Sequence, residues 1–255
     1  MSIKSKVCAA AATLTLVGGA GAASALAAGT AGTAGAATLS CGSICIDIFS
    51  RHYGTHHHPG FVLDVLHQDA KVGQPVILFR TRNRDPAEDF TIAYQGQVSD
   101  FATAGLVTPA LALHYGGGCE FFSVAKQKCL KYYPNDYAYE IEYAPDGVDS
   151  GLCAGVPTTA AQDTLVSLQP CGASAKTVWV VDIAHSIGRS FLRLYVPLIN
   201  GSDTSFSHPF VLHYPGNAVP TDVPRPQLNT YTLQTYSNGT VFDNEMWSAN
   251  VGVLP

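Results

Sequence analysis

Five histidines, His52, His56, His57, His58 and His67, crowd one short stretch of the chain. Neutral imidazoles are good ligands for transition metals, and three in a row can present at least two on one loop. Spacing alone places no acidic residue or further histidine to complete a coordination sphere. His52, His56 and His58 are the candidates such a site would use. The Gly- and Pro-rich setting of Arg51–Gly60 reads instead as an exposed polar loop, so no metal and no cofactor is expected. Paired carboxylates stand at Glu88/Asp89 and Glu140/Glu142, but sequence does not place two of them across one cleft. Asp149-Ser150-Gly151 has the tripeptide found around some serine nucleophiles without its flanking glycines, and reads as a turn before a strand. The chain contains no G-x-S-x-G, no H-E-x-x-H and no phosphate loop. Tyr132, Tyr133 and Tyr137 supply either a binding surface or packing, and packing is the reading adopted. Two N-linked sequons are present, Asn200-Gly201-Ser202 and Asn238-Gly239-Thr240; in an exported bacterial protein both are expected to stay unmodified.

The chain opens with Lys4 and Lys6 ahead of an apolar, Ala-rich run from Val7 to Val17, followed by Ala-x-Ala sites at Ala23–Ala25 and Ala25–Ala27. That pattern predicts a signal peptide over 1–27 and export from the cell. A flexible leader of Ala, Gly and Thr is expected over 28–40. The net charge of −5 becomes −5 − 2 = −7 when the two leader lysines are removed. An acidic, lysine-poor protein is a poor binder of phosphate backbones, so no nucleic-acid partner is expected. No later stretch is long and apolar enough to span a bilayer as a helix, and no membrane association is expected after cleavage. Roughly 230 remaining residues suffice for one full core, and a monomer is expected.

Cys8 leaves with the leader, and Cys41, Cys45, Cys119, Cys129, Cys153 and Cys171 remain. An even count in an exported chain points to disulfides. Several pairings are open; the preferred one is local, Cys41–Cys45, Cys119–Cys129 and Cys153–Cys171. The cysteines are too scattered for paired zinc knuckles.

The elements that must position these residues recur. Gly60–Val65, Val76–Thr81 and Phe90 form one unit; Gly151–Val156, Val166–Cys171 and Trp179 a second; Pro209–Tyr214, Tyr231–Tyr236 and Met246-Trp247 a third. Each reads as strand, turn, strand, loop, aromatic strand, and each is preceded by a further strand: Cys45–Ser50, Tyr139–Tyr143 and Tyr195–Asn200. Val98–Phe101 also reads as a strand. No segment shows sustained helical periodicity. The uneven spacing concentrates in residues 105–137, which read as an insertion pinned by Cys119 and Cys129.

Three units with G-L-C/V-x-D-V, then V-x-L-x-x-C, then a Q-x-W-like end resemble the ricin-type β-trefoil lectins. The resemblance spans about 44–250 outside the insertion. It implies an all-β fold, a β-trefoil domain over 41–255, with repeats at about 44–104, 138–184 and 191–250. It also matches Cys153 and Cys171 to the family's intra-repeat disulfide. The glutamine of Q-x-W is absent: Glu88-Asp89-Phe90, Thr177-Val178-Trp179 and Glu245-Met246-Trp247 stand there. In such lectins an aspartate after the first hairpin strand accepts sugar hydroxyls, an aromatic ring on the second strand stacks on the apolar sugar face, and a loop residue completes the site. Carried over, repeat one supplies Asp64 and Phe79, with Glu88 or Asp89 in the loop and Gln74 in support. Repeat two has Gly155 and Gln169 at those positions. Repeat three has His213 and, by this alignment, Gln234. The expectation is therefore a secreted, non-catalytic carbohydrate-binding protein with one sugar site in repeat one. The alternatives are an exported hydrolase acting on a polysaccharide or cell-wall polymer, and a trefoil protein-interaction module without a sugar site.

Overall fold

The computed structural model describes residues 45–52, 60–82, 85–117, 119–121, 129–132, 135–190, 193–205, 207–216 and 227–249. All of them fall in the unit Ala34–Pro255. The leader and Cys41, His56, His57 and His58 lie outside the described residues. Among those described, no helix is long and apolar enough to cross a membrane.

Six strands close a barrel. Ile48–Ser50 pairs Trp247–Ala249, Phe90–Gln97 pairs Tyr137–Tyr143, and Tyr137–Tyr143 pairs Val178–Val181, which pairs Leu198–Asn200. Two single bridges complete the circuit, Ile46 to Phe90 and Val196 to Trp247. Three antiparallel hairpins cap one end: Phe61–Val65 with Val76–Arg80, Leu152–Gly155 with Ser167–Pro170, and Phe210–His213 with Asn229–Thr232. At the centre of the cap the hairpins are tied in a ring. The Val76 N–H donates to Val166 O at 3.1 Å, Val166 N–H to Leu228 O at 2.8 Å, and Leu228 N–H to Val76 O at 3.0 Å. This cyclic exchange makes Val76, Val166 and Leu228 equivalent and reveals a pseudo-threefold axis. The chain is a β-trefoil.

Strand alternation explains how one sequence fills the barrel. Trp179 and Val181 join the main core with Phe90, Ile141, Leu198 and Trp247. Their neighbours Val178 and Val180 point the other way, into a second core with Phe101, Leu111, Ile199 and Val211. The apolar run Val178–Val181 is thus buried on both faces. Trp179 Nε1–H donates to Ala154 O and Trp247 Nε1–H to Leu212 O, each at 2.8 Å. Buried indole N–H groups need such a partner.

The second core corrects the reading of Val98–Phe101 as a strand. Val98–Thr103 is a helix, and Pro109–Tyr115 is another. Thr108 caps the second and Pro109 starts it. With apolar anchors only at Leu111 and Tyr115, this helix is too short to show a periodicity. The helices lie over the outward valines of the barrel and keep that apolar surface from water.

The disulfide Cys153–Cys171 bridges the repeat-two hairpin, with Cα atoms 5.1 Å apart. Cys45 is also disulfide-bonded. The strands Cys119–Phe121 and Cys129–Tyr132 pair antiparallel, while the Cys119 and Cys129 side chains lie outside the described set.

Candidate functional site

The hairpin registers align the three repeats residue by residue. Val62 faces Phe79, Cys153 faces Gln169, and Val211 faces Tyr231; two residues on, Asp64 faces Ile77, Gly155 faces Ser167, and His213 faces Asn229. Asp64, Gly155 and His213 are therefore equivalent, as the sequence predicts. The ring position is Phe79, Gln169 and Tyr231. The alignment to Gln234 was displaced by three residues, because the long Pro-rich segment before Leu228 leaves the register undetermined until the strands pair.

In repeat one the expected site residues lie inside the protein. Asp64, Gln74, Glu88 and Asp89 are all buried, and Phe79 is 2% exposed with the Arg82 guanidinium 4.2 Å from its ring centre. A ring so enclosed offers no face for a sugar, and the reading of Phe79 as a stacking platform is corrected on that ground. The carboxyl groups hold loops instead. Glu88 accepts from Thr81 Oγ1 at 3.0 Å and from Arg82 N–H at 2.8 Å. Asp89 accepts from Asp146 N–H at 2.9 Å. Gln74 Nε2 donates to Leu66 O and tightens the hairpin end.

Asp64, Asp85 and Glu88 bring carboxyl oxygens within 4.8 Å of one another. The protein's own donors occupy much of this cluster: Asp85 accepts from Gln68 Nε2 at 2.7 Å and Ala87 N–H at 3.1 Å. Burial pushes Glu88 up to about 8, so it carries its proton at neutral pH. Of the histidine candidates, His52 is exposed, and His56 and His58 lie outside the described residues.

Repeat two is closed. A Cβ on Gly155 would stand 2.7 Å from Lys176 O and 2.9 Å from Thr177 Cγ2. No side chain fits where repeat one has its aspartate, and Gln169 brings no ring.

Repeat three differs from both. The Tyr231 ring is only partly buried and stacks on the His213 imidazole, with centroids 4.7 Å apart and planes 28° apart. His213 sits in a chain of hydrogen bonds. Its Nδ1–H donates to Asn229 Oδ1 at 2.7 Å, and its Nε2 accepts from Asn244 Nδ2 at 2.9 Å. Asn229 Nδ2 in turn donates to Asp163 Oδ1 at 3.0 Å. An Nε2 that accepts requires the neutral ring, and burial lowers the His213 pKa in the same sense. Asn244 spends Nδ2 on His213 and on Tyr214 O at 3.2 Å. Its Oδ1 makes no hydrogen bond among the described residues. Gln162 adds a polar edge, accepting from Thr232 N–H at 3.3 Å and Thr232 Oγ1 at 3.1 Å. Sequence reasoning passed over Tyr231 and Asn244. The available signal was Asn244 directly before the Q-x-W-like triplet Glu245-Met246-Trp247.

His185 and Asp182 form a separate pair, Nδ1 to Oδ2 at 2.6 Å, with Asp182 buried and capping the turn Ile183–His185. Ser150 Oγ donates to Tyr143 O and accepts from Leu152 N–H at 3.2 Å, which makes Asp149-Ser150-Gly151 a turn.

No family model matches the chain, and no curated protein matches it. Solved structures do. The designed three-fold symmetric protein ThreeFoil is 14% identical, with 80% of this chain and 96% of that chain covered and a TM-score of 0.45. The SDF2-like protein from Arabidopsis thaliana is 10% identical, with 82% and 93% covered and a TM-score of 0.40. The ligand-binding domain of botulinum neurotoxin serotype D, solved with N-acetylneuraminic acid, is 9% identical, with 81% of this chain and 40% of that chain covered and a TM-score of 0.38. All three similarities are at low identity, and it is the internal symmetry of the three hairpins that makes the fold a β-trefoil.

Proposed function

We propose that this protein is a non-catalytic carbohydrate-binding trefoil, of the ricin B-like kind, that acts after export, and that its sugar site is built on repeat three. One observation carries the reading: of the three equivalent ring positions, only Tyr231 is both aromatic and open to solvent. Beneath it His213 is held by hydrogen bonds to Asn229 and Asn244, so the ring rests on an ordered support. The half-buried Asn244 Oδ1 is an acceptor for a sugar hydroxyl. An aromatic face next to fixed polar groups suits a ring with one apolar C–H face and hydroxyls at its edge.

The test is retention of the purified full chain on insoluble polysaccharides and on a glycan panel. Tyr231→Ala and Asn244→Ala are expected to lose retention at least tenfold, while the far-ultraviolet circular dichroism stays unchanged. Arg82→Ala, above the closed ring of repeat one, is expected to retain it. Failure of the wild type to bind any glycan, or equal binding by Tyr231→Ala, would sink the proposal.

A further inference from the structure

The two sequons, identical in form, have opposite environments. Asn200 is fully buried. Its Nδ2 donates to Lys176 O at 3.0 Å, and its Oδ1 accepts from Ser202 N–H at 3.1 Å and Ser202 Oγ at 2.6 Å. This amide is a structural part of the barrel wall, and the loop Ala175–Thr177 lies across it. Asn238 is exposed at the tip of a reverse turn. Gly239 N–H donates to Tyr236 O at 2.9 Å, and Tyr236 N–H to Thr240 O at 2.8 Å. Gly239 sits at φ +81°, which the turn requires after Asn238.

Within that turn the sequon is already arranged. Thr240 Oγ1–H donates to Asn238 Oδ1 at 2.7 Å and Thr240 N–H at 3.0 Å. Both donors polarise the amide through its oxygen. They leave Nδ2 without a hydrogen bond among the described residues. Two residues upstream, in the same turn, Tyr236 is 49% exposed, and its ring packs on Phe242 at 4.4 Å between centroids. A solvent-facing ring next to the acceptor, backed by Phe242, offers a surface to the apolar face of a first sugar.

We infer, against the expectation that both sequons stay unmodified, that Asn238 is an acceptor for an N-linked oligosaccharide, that Asn200 in the folded protein is not, and that Tyr236 packs against the first sugar once it is attached. In the transfer, the Asn238 Nδ2–C1 bond forms and the C1–oxygen bond of a lipid-linked oligosaccharide pyrophosphate breaks. The lipid pyrophosphate leaves with the electron pair, and one amide proton passes to a base of the transferase. No oxidation occurs. The Tyr231 site plays no part, so the two proposals stand or fall separately.

The experiment incubates the folded, purified full chain with an oligosaccharyltransferase and a lipid-linked oligosaccharide donor, and locates the product by peptide mass mapping. One glycan, on the Asn238 peptide, is expected. Asn238→Gln is expected to take none. The reduced and denatured chain is expected to gain glycan at Asn200 as well, because only folding hides that amide. Glycosylation should raise the thermal midpoint of the wild type and leave that of Tyr236→Ala unchanged. No glycan on the folded chain, glycan at Asn200 in the folded chain, or no labelling of Asn200 after denaturation would overturn the inference; an equal thermal shift in Tyr236→Ala would overturn the packing role.

Discussion

The Glu140 carboxyl group accepts the Gly172 N–H, at 2.9 Å to one oxygen and 3.0 Å to the other. Gly172 is the equivalent of Arg82 and Gln234, three residues past each ring position. In the other repeats the same N–H is met by the residue in the glutamine place of Q-x-W. Arg82 N–H donates to Glu88 at 2.8 Å, and Gln234 N–H to Glu245 at 2.9 Å. Repeat two has Thr177 in that place, too short to reach. Its hydroxyl donates to Glu140, and the longer side chain from the neighbouring barrel strand completes the contact. One structural demand, a buried acceptor for a loop N–H, is met from two different chain positions.

Glu140→Ala should therefore cost as much as a conventional repeat anchor. It removes the acceptor of the Gly172 N–H, which lies in an exposed residue, and leaves the Thr177 hydroxyl only Ser174 O at 3.1 Å, for a loss of about 1–3 kcal/mol. Urea unfolding of the variant measures this. A loss below about 0.5 kcal/mol would show that the contact is incidental.

Glu88 and Glu245 explain how a glutamine position tolerates glutamate. Burial pushes each up to about 8, against a usual carboxyl value of 4.5. Each keeps its proton at neutral pH and is then neutral, like glutamine. A raised acid pKa contributes stability that is full below the unfolded value. That stability is lost as pH rises through the folded value. Between about pH 4.5 and pH 8 the protein should thus lose stability from these two groups. Glu245→Gln should flatten this slope and gain roughly 1–3 kcal/mol at pH 8. Chemical denaturation at pH 5 and pH 8 tests it, and an unchanged slope would refute the account.

Gly155 tests the closure of repeat two. Gly155→Asp restores the aspartate that the lectin resemblance places there. Its Cβ would press on Lys176 O and Thr177. The expected result is a loss of about 2–5 kcal/mol and no gain in glycan retention. A stable variant with new retention would mean that the Lys176–Thr177 loop yields easily.

Much was legible in the chain before folding. Short apolar runs at Phe61–Val65 and Val76–Arg80, bounded by turn residues and repeated twice, specified hairpins. Trp179 and Trp247 marked the barrel strands, and the local pairing Cys153–Cys171 was readable from the repeat itself. The equivalence of Asp64, Gly155 and His213 followed from those patterns.

Other features depended on tertiary contact. Whether Phe79 or Tyr231 is open to solvent depends on what lies over each ring. Arg82 covers one, and His213 supports the other. The register of Tyr231 was set only when Leu228 N–H met Val76 O across the cap, 152 residues away in sequence (228 − 76). The short helices at Val98–Thr103 and Pro109–Tyr115 form because the outward side chains Val178 and Val180 give them a surface to cover. Likewise Asn200 and Asn238 read alike along the chain, and only folding buries one and exposes the other. Residue type and period determined which strands the chain makes, because these act locally. Exposure and partner choice were decided by the fold, because they arise where distant segments meet.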